Sequence, residues 1–187
     1  DEYGMKNINF IEMDLLELPQ LNKRFDLIEC SGVLHHLKDP VKGLSSLIDT
    51  LEPNGFIKLG LYSKYARKEI LKARDLIKEK NIKPTLDEIR IFRNDVLNGD
   101  IKTLNELTHW SDFYSTSMCR DLCFHSQEKC YSLLEIKKLL GAANLEFLGF
   151  TLTKDIKDSY QRLNKNFESL KDLQIWDNFE KSHPNSF

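Results

Sequence analysis

Three short stretches of this chain set a polar group directly after an apolar run: Met13-Asp14-Leu15, Cys30 to His36, and Tyr62-Ser63. Asp14 could accept hydrogen bonds from a ligand amine, or serve as a turn residue or helix N-cap. Ser31-Gly32 would let a ligand approach the backbone, because glycine has no Cβ, and would equally make a tight strand-to-helix turn. His35 and His36 are adjacent and cannot share a helix face, so at most one of them is expected to meet a ligand. Tyr62 could position a substrate or close over the core. A fourth stretch, Asp112 to Tyr131, gathers Tyr114, Arg120, Asp121, His125 and Glu128 in a weakly periodic segment. Such a segment can bind a substrate, or simply carry surface charges around a buried Phe124.

Cys30, Cys119, Cys123 and Cys130 are too few and too scattered for a disulfide framework. Three of them lie near His125, but no C-x2-C pair occurs and the spacing matches no usual zinc arrangement. They read as small, partly buried apolar residues, and no metal is expected.

The elements that would position these groups follow from periodicity. Asn7 to Glu12 (NINFIE) alternates like a strand, and Leu15 to Lys23 is a connector. Phe25 to Cys30 (FDLIEC) is a second strand. Asp39-Pro40 opens an amphipathic helix through Val41, Leu44, Leu47, Ile48 and Leu51. Pro53-Asn54-Gly55 is expected to end it and turn the chain into a third strand, Phe56 to Leu61. Ligands of an open parallel sheet bind outside the carboxyl ends of its strands, where the first three stretches fall. Beyond them come a charged helix (Ala66 to Lys80), a second opened by the capping box at Thr85, and a short third over Ile101 to Leu107. Trp110 to Cys130 is expected to contain loops. Ser132 opens another capped helix, Leu145 to Leu152 reads as a strand, and the tail from Lys154 is helical to about Ser182.

The chain has 187 residues with 27 Lys+Arg against 29 Asp+Glu, a net charge of −2. That balance gives no electrostatic reason to expect nucleic acid or an anionic membrane as partner. No apolar run approaches a membrane span, the first residues lack the features of a signal peptide, and a cytoplasmic protein is expected.

The run FDLIEC, then SGVLHHL, then LEPNGF strongly resembles class I S-adenosylmethionine-dependent methyltransferases in order and spacing over roughly the first 63 residues. Asn54 stands where that family usually has glycine; asparagine tolerates left-handed backbone angles, so the turn should survive. The remainder resembles bacterial methyltransferase modules sometimes joined to tetratricopeptide repeats, through Leu61-Tyr62-Ser63 with Ala66-Arg67, Asp112 to Ser115, Cys119-Arg120-Asp121 with Phe124-His125 and Gln127-Glu128, and the stretch Trp176 to Phe187. The resemblance implies an α/β fold: a partial Rossmann-like sheet with a helical insert after the third strand and a helical C-terminal tail. Residues 1–65 and 132–152 would be the core, 66–131 a cap over the strand edge, and 153–187 an extension.

It also implies S-adenosylmethionine as cofactor, with Asp14 at the adenine amine, Met13 and Leu15 flanking the ring, and Cys30, Ser31 and His35 along the methionine portion. By residue type, His36, His125, Tyr62 and Glu128 are candidate bases, the two histidines preferred because they change charge near neutral pH, and Tyr62, Tyr114, Arg120, Asp121 and Glu128 are the candidate substrate contacts. The family's glycine-rich G-x-G loop has no counterpart in the sequence. The chain is therefore expected to be an N-terminally truncated fragment, inactive alone, that serves methyl transfer to a small-molecule acceptor; a protein or peptide acceptor stays open. The alternatives are a non-catalytic module that binds a partner protein and, with less behind it, a metal-dependent hydrolase using His35, His36 and His125.

Overall fold

The computed structural model describes residues 7–125, 127–164, 166–184 and 186. The fold is mixed α/β, and the chain divides into two compact units, residues 1–60 and 61–187. Among the described residues no helix is long and apolar enough to cross a membrane.

The first unit is built around two parallel strands, β1 (Phe25–Ser31) and β2 (Leu51–Gly60), joined by α1 (Pro40–Asp49). Asp39 caps α1, its carboxylate accepting from the Lys42 N–H at 3.2 Å, and Pro40 fits the first turn, where no amide donor is needed. Leu44 and Leu47 supply the buried stripe of α1. The lack of a Cβ at Gly43 leaves room for Leu37 and Leu34, whose methyls lie 2.4 and 2.8 Å from where one would stand. Ser46 on the same helix donates to the Leu16 carbonyl at 3.4 Å, holding a 3₁₀ segment, Leu15–Leu21, in place of the expected connector.

Two expectations in this unit are corrected. Pro53-Asn54-Gly55 does not end the helix; Thr50 does, and those three residues bulge within β2, shifting the register between Phe25 and Leu27. Asn54 takes φ 65°, the left-handed conformation, and a Cβ on Gly55 would lie 2.9 Å from the Glu52 carbonyl oxygen and 3.0 Å from that of Asp26. Asn7 to Glu12 is not a strand. A strand exists only in a ladder, no described residue pairs with this stretch, and Phe10 is 91% exposed.

Among its described residues the second unit holds a minimal parallel ladder, β3 (Tyr62–Ser63) with β4 (Cys130–Tyr131), and six α-helices. Helices α2 (Lys68–Glu79) and α3 (Leu86–Leu97) each bury an i, i+3, i+7 stripe, Ile70-Ala73-Ile77 and Ile89-Phe92-Val96. Thr85 caps α3 through the Glu88 N–H, and Lys102–His109 forms a 3₁₀ helix where a short helix was expected. Trp110 to Cys130, expected to be loop-rich, contains a 3₁₀ turn (Ser111–Tyr114) and helix α4 (Thr116–Phe124). Ser115 caps α4 by accepting from the Met118 N–H, and Cys119, Leu122 and Cys123 are its buried face.

The Ser132 capping box opens α5 (Leu133–Ala142) with both reciprocal bonds formed. The tail is two helices, α6 (Lys154–Leu163) and α7 (Leu173–Ser182), around a 3₁₀ turn. Leu145 to Leu152 is extended but joins no ladder. Its alternation still works, because Leu145 and Phe147, then after Gly149 at φ 145°, Phe150 and Leu152, pack on a cluster centred on Tyr160, Trp176 and Phe179.

Candidate functional site

The carboxyl end of β1 is shaped by its last residues. Ser31 pairs with Gly60, and a Cβ on Gly60 would meet the Ser31 side chain at 2.9 Å, so that glycine is what lets the strands close up there. Gly32 follows at φ 75°, a conformation that costs other L-residues, and no atom lies within 4 Å of where its Cβ would be. The chain then folds into a 3₁₀ turn, Leu34–His36. Ser31 and Gly32 thus face open space beside an exposed hydroxyl. Cys30 is buried just before them, its thiol pushed up by burial against the opposing hydrogen bond from the Leu34 backbone.

The two histidines behave as a pair. His35 is buried, His36 half-buried, and their Nε2 atoms lie 3.1 Å apart with the rings edge to face at 4.2 Å. One facing nitrogen must carry a proton and the other must accept it. His36 Nε2 is therefore engaged with its neighbour. Asp14 is exposed and caps the 3₁₀ segment, accepting from the Leu16 N–H at 2.9 Å, while Met13 and Leu15 beside it are half-buried. A polar hollow of about 490 Å³ in the same unit, bordered by Arg24, Asp49 and Glu52, lies at the opposite, amino end of both strands.

In the second unit the expected substrate residues separate into two groups. Tyr62 and Glu128 come together through Arg67, whose guanidinium lies 3.3 Å over the Tyr62 ring and 3.0 Å from Glu128 Oε1. Arg74 reaches the same carboxylate oxygen at 3.0 Å and also donates to the Leu122 carbonyl through Nη2 and Nε at 2.7 and 3.1 Å. Glu128 is 4% exposed, and Arg67 and Arg74 are 12% and 13% exposed. Tyr114, Arg120 and Asp121 are not brought there. Tyr114 donates its hydroxyl to the Thr108 carbonyl at 2.9 Å, and Arg120 and Asp121 lie on the exposed face of α4. His125 ends α4, its Nδ1 accepting from the Gln127 N–H at 3.3 Å.

Sequence reasoning missed Arg74, which looks like an ordinary member of a charged helix, and it met Arg67 only within the family resemblance, with no role attached. The signal that could have joined them is their separation of seven residues, close to two helical turns, with Arg67 capping α2 and Arg74 on it.

Cys119 and Cys123 occupy the buried face of α4 one turn apart and hydrogen-bond to each other. The bond pulls the Cys119 thiol down, with Arg93 adding to this against burial, and it pushes Cys123 up together with burial. Burial likewise raises Cys130, reinforced by Glu128. Among the described residues no three His, Cys, Asp or Glu side chains converge on a metal-binding arrangement.

A second buried polar group joins the tail to β3. Glu180, fully buried on α7, accepts a short hydrogen bond from the Ser63 hydroxyl, which itself accepts from the Tyr65 and Ala66 N–H groups at 3.0 and 3.1 Å. Asp177, one turn earlier and also fully buried, pairs with Lys181 at 2.7 Å. Glu180 Oε2 has no partner among the described residues. Burial lifts the Glu180 carboxyl above the usual range, Ser63 opposes the shift, and the Asp177 charge adds to it. A carboxyl whose folded pKa is raised contributes stability at low pH that is lost as pH rises through the raised value. Glu180→Gln is therefore expected to flatten that loss and to raise the melting temperature at neutral pH relative to the unmodified protein. Melting curves from pH 4 to 8 test this; parallel curves for the two proteins would remove Glu180 as the source.

Compared with known proteins, residues 1–137 match a family described as a methyltransferase domain. An uncharacterized protein of Synechococcus sp. is 30% identical over 153 residues, which is 77% of this chain and 36% of that protein. A tRNA U34 carboxymethyltransferase of Campylobacter fetus is 43% identical over 55 residues, 29% of this chain and 20% of its own length. Its counterpart in Campylobacter curvus is 34% identical over 59 residues, 32% and 20% of the two chains. The chain spans well under half the length of these curated relatives.

Proposed function

Because the chain belongs to the methyltransferase-domain family, we propose that it forms part of an enzyme transferring the methyl group of S-adenosylmethionine to a small-molecule acceptor. The observation that carries this is the family match across residues 1–137, which includes β1, its turn and the whole of β2. The residues at the end of β1 fit such a cofactor: Gly32 opens on empty space, and Ser31 offers an exposed hydroxyl beside it. Bound there, the cofactor supplies an activated methyl group on a sulfonium.

What the chain supplies is placement. Ser31 and the Gly32 backbone would hold the amino-acid end, with Cys30 and the buried His35 as the floor beneath. Asp14 would accept from the adenine amine, with Met13 and Leu15 against the ring. Alignment of reacting groups can contribute on the order of 7–11 kcal/mol to such a displacement. If the acceptor must lose a proton, His36 or His125 is the base by type; for His36 this requires release of the Nε2 contact with His35. The tRNA in the Campylobacter relatives' names is not carried over, because those matches cover under a third of this chain and its net charge of −2 offers no broad cationic balance. No observation favours the non-catalytic, partner-binding alternative.

Calorimetric titration of S-adenosylhomocysteine into the protein carrying this chain tests the proposal. Micromolar binding is expected, with Asp14→Ser about tenfold or more weaker, since a hydrogen bond to a charged group is worth about 1.5–3 kcal/mol. Serine keeps the helix cap and removes only the reach of the carboxylate. Absence of binding to the whole protein would overturn the reading, and unchanged binding by Asp14→Ser would remove Asp14 from the site.

A further inference from the structure

Arg67, Arg74 and Glu128 bring two positive charges and one negative charge into a nearly buried site. Among the described residues no second carboxylate pairs with either guanidinium, so the group carries an excess positive charge where solvent screens it poorly. The two arginines differ in how far they are committed. Arg74 spends Nη1 on Glu128 and both Nε and Nη2 on the Leu122 carbonyl. Among the described residues Arg67 hydrogen-bonds through Nη1 alone; it keeps part of its side chain exposed and is held over the Tyr62 ring. A guanidinium has five N–H donors in a planar fork. Arg67 is thus a pre-oriented fork with donors to spare, backed by an aromatic face and by a second cation.

We propose that Arg67, with Tyr62 and Arg74 behind it, is an anion-recognition subsite for a small molecule that carries a carboxylate or phosphate group. The anion site does not depend on the methyltransferase reading. Glu128 is the internal competitor: it holds the arginines in place when the site is empty, and it sets how much positive charge is left for a ligand. This gives two variants opposite effects. Arg67→Gln removes the fork and weakens anion binding. Glu128→Gln keeps a hydrogen-bond acceptor against the arginines, removes the competing charge, and tightens binding.

The test titrates inorganic phosphate and succinate separately into the protein carrying this chain, by calorimetry at low ionic strength. The expected result is saturable binding of at least one anion, weakened tenfold or more by Arg67→Gln and strengthened severalfold by Glu128→Gln. Arg90→Gln, an exposed arginine on α3, is expected to leave it unchanged. Phosphate alone would identify a phosphorylated ligand and succinate alone a carboxylate one. No saturable binding of either anion overturns the proposal. So do variants that bind the anions with unchanged affinity, because a purely structural ion triad would alter stability and nothing else. S-Adenosylhomocysteine titrated into the same samples separates the two ideas. If it binds and the anions do not, the subsite falls alone; if the anions bind and it does not, the methyltransferase reading falls and an anion site stands.

Discussion

Replacing Trp176 with alanine is expected to destabilise the second unit by about 3–5 kcal/mol, the usual cost of emptying a buried aromatic position. Trp176 is 1% exposed and stacks on Tyr160 at 3.5 Å with the planes 11° apart. Phe150 and Phe179 stand edge-on to it at 5.3 and 5.7 Å. Its indole N–H donates to the Leu170 carbonyl at 3.0 Å, so truncation also leaves that carbonyl without its donor. The indole is where α7, the 3₁₀ turn before it and the extended segment Leu145 to Leu152 meet. Its loss therefore frees three chain segments at once. Urea unfolding followed by tyrosine fluorescence checks this. The expected result is a lower midpoint with an unchanged slope, and a smaller loss for Trp176→Phe, which restores the ring but not the N–H. A loss under about 1 kcal/mol would mean the tail is not held by this residue, since surface substitutions stay within about half that.

What could be read from the sequence follows how local each determinant is. The caps at Asp39, Thr85 and Ser132 act within four residues, and all three helices start where those residues place them. The left-handed turn at Asn54 is equally local and survives without glycine, although it bulges a strand and does not end a helix. Strands are not local. FDLIEC forms a ladder because β2 lies beside it, whereas NINFIE has the same kind of alternation and no partner among the described residues. LEFLGFTL keeps its apolar face inward without any ladder at all. Helix α4 was within reach: Ser115 is a cap residue, and Cys119, Leu122 and Cys123 follow helical spacing, but cysteine is a weak hydrophobic marker and the polar residues between obscured the stripe.

The candidate site divides in the same way. Position along the chain put Asp14, Ser31 and Gly32 at turns after apolar runs; β1 runs one residue past the expected Cys30, to Ser31, and turns at Gly32. It could not reveal that His35 and His36 engage each other. Nor could it show that Glu128 draws on two arginines more than fifty residues upstream, because that convergence depends on how α2 packs against α4.

Glu128→Ala is expected to cost about 3–5 kcal/mol, because removing one partner of a buried ionic group leaves the other charges uncompensated. Here two guanidiniums remain beside each other, so repulsion adds to desolvation. Arg74 keeps its bonds to the Leu122 carbonyl, which limits how far it can withdraw, and Arg67 must leave the Tyr62 ring to become fully hydrated. If the strain is electrostatic, two treatments should relieve it by different routes. Replacing all three ionic residues with apolar ones of similar volume (Arg67→Met, Arg74→Met, Glu128→Leu) should recover most of the stability, as similar replacements of buried ion triads are neutral or stabilising by about 1–4 kcal/mol. Adding an anion that fits should also restore it, since a ligand at 100 times its dissociation constant stabilises the folded state by about 2.7 kcal/mol. Urea melts of Glu128→Ala with phosphate, with succinate and with equal ionic strength of sodium chloride distinguish a specific anion from simple screening. Rescue by one of the first two beyond that given by chloride is the expected outcome. Equal rescue by all three salts would show that Glu128 serves only to neutralise charge, and that Arg67 presents no site for a ligand.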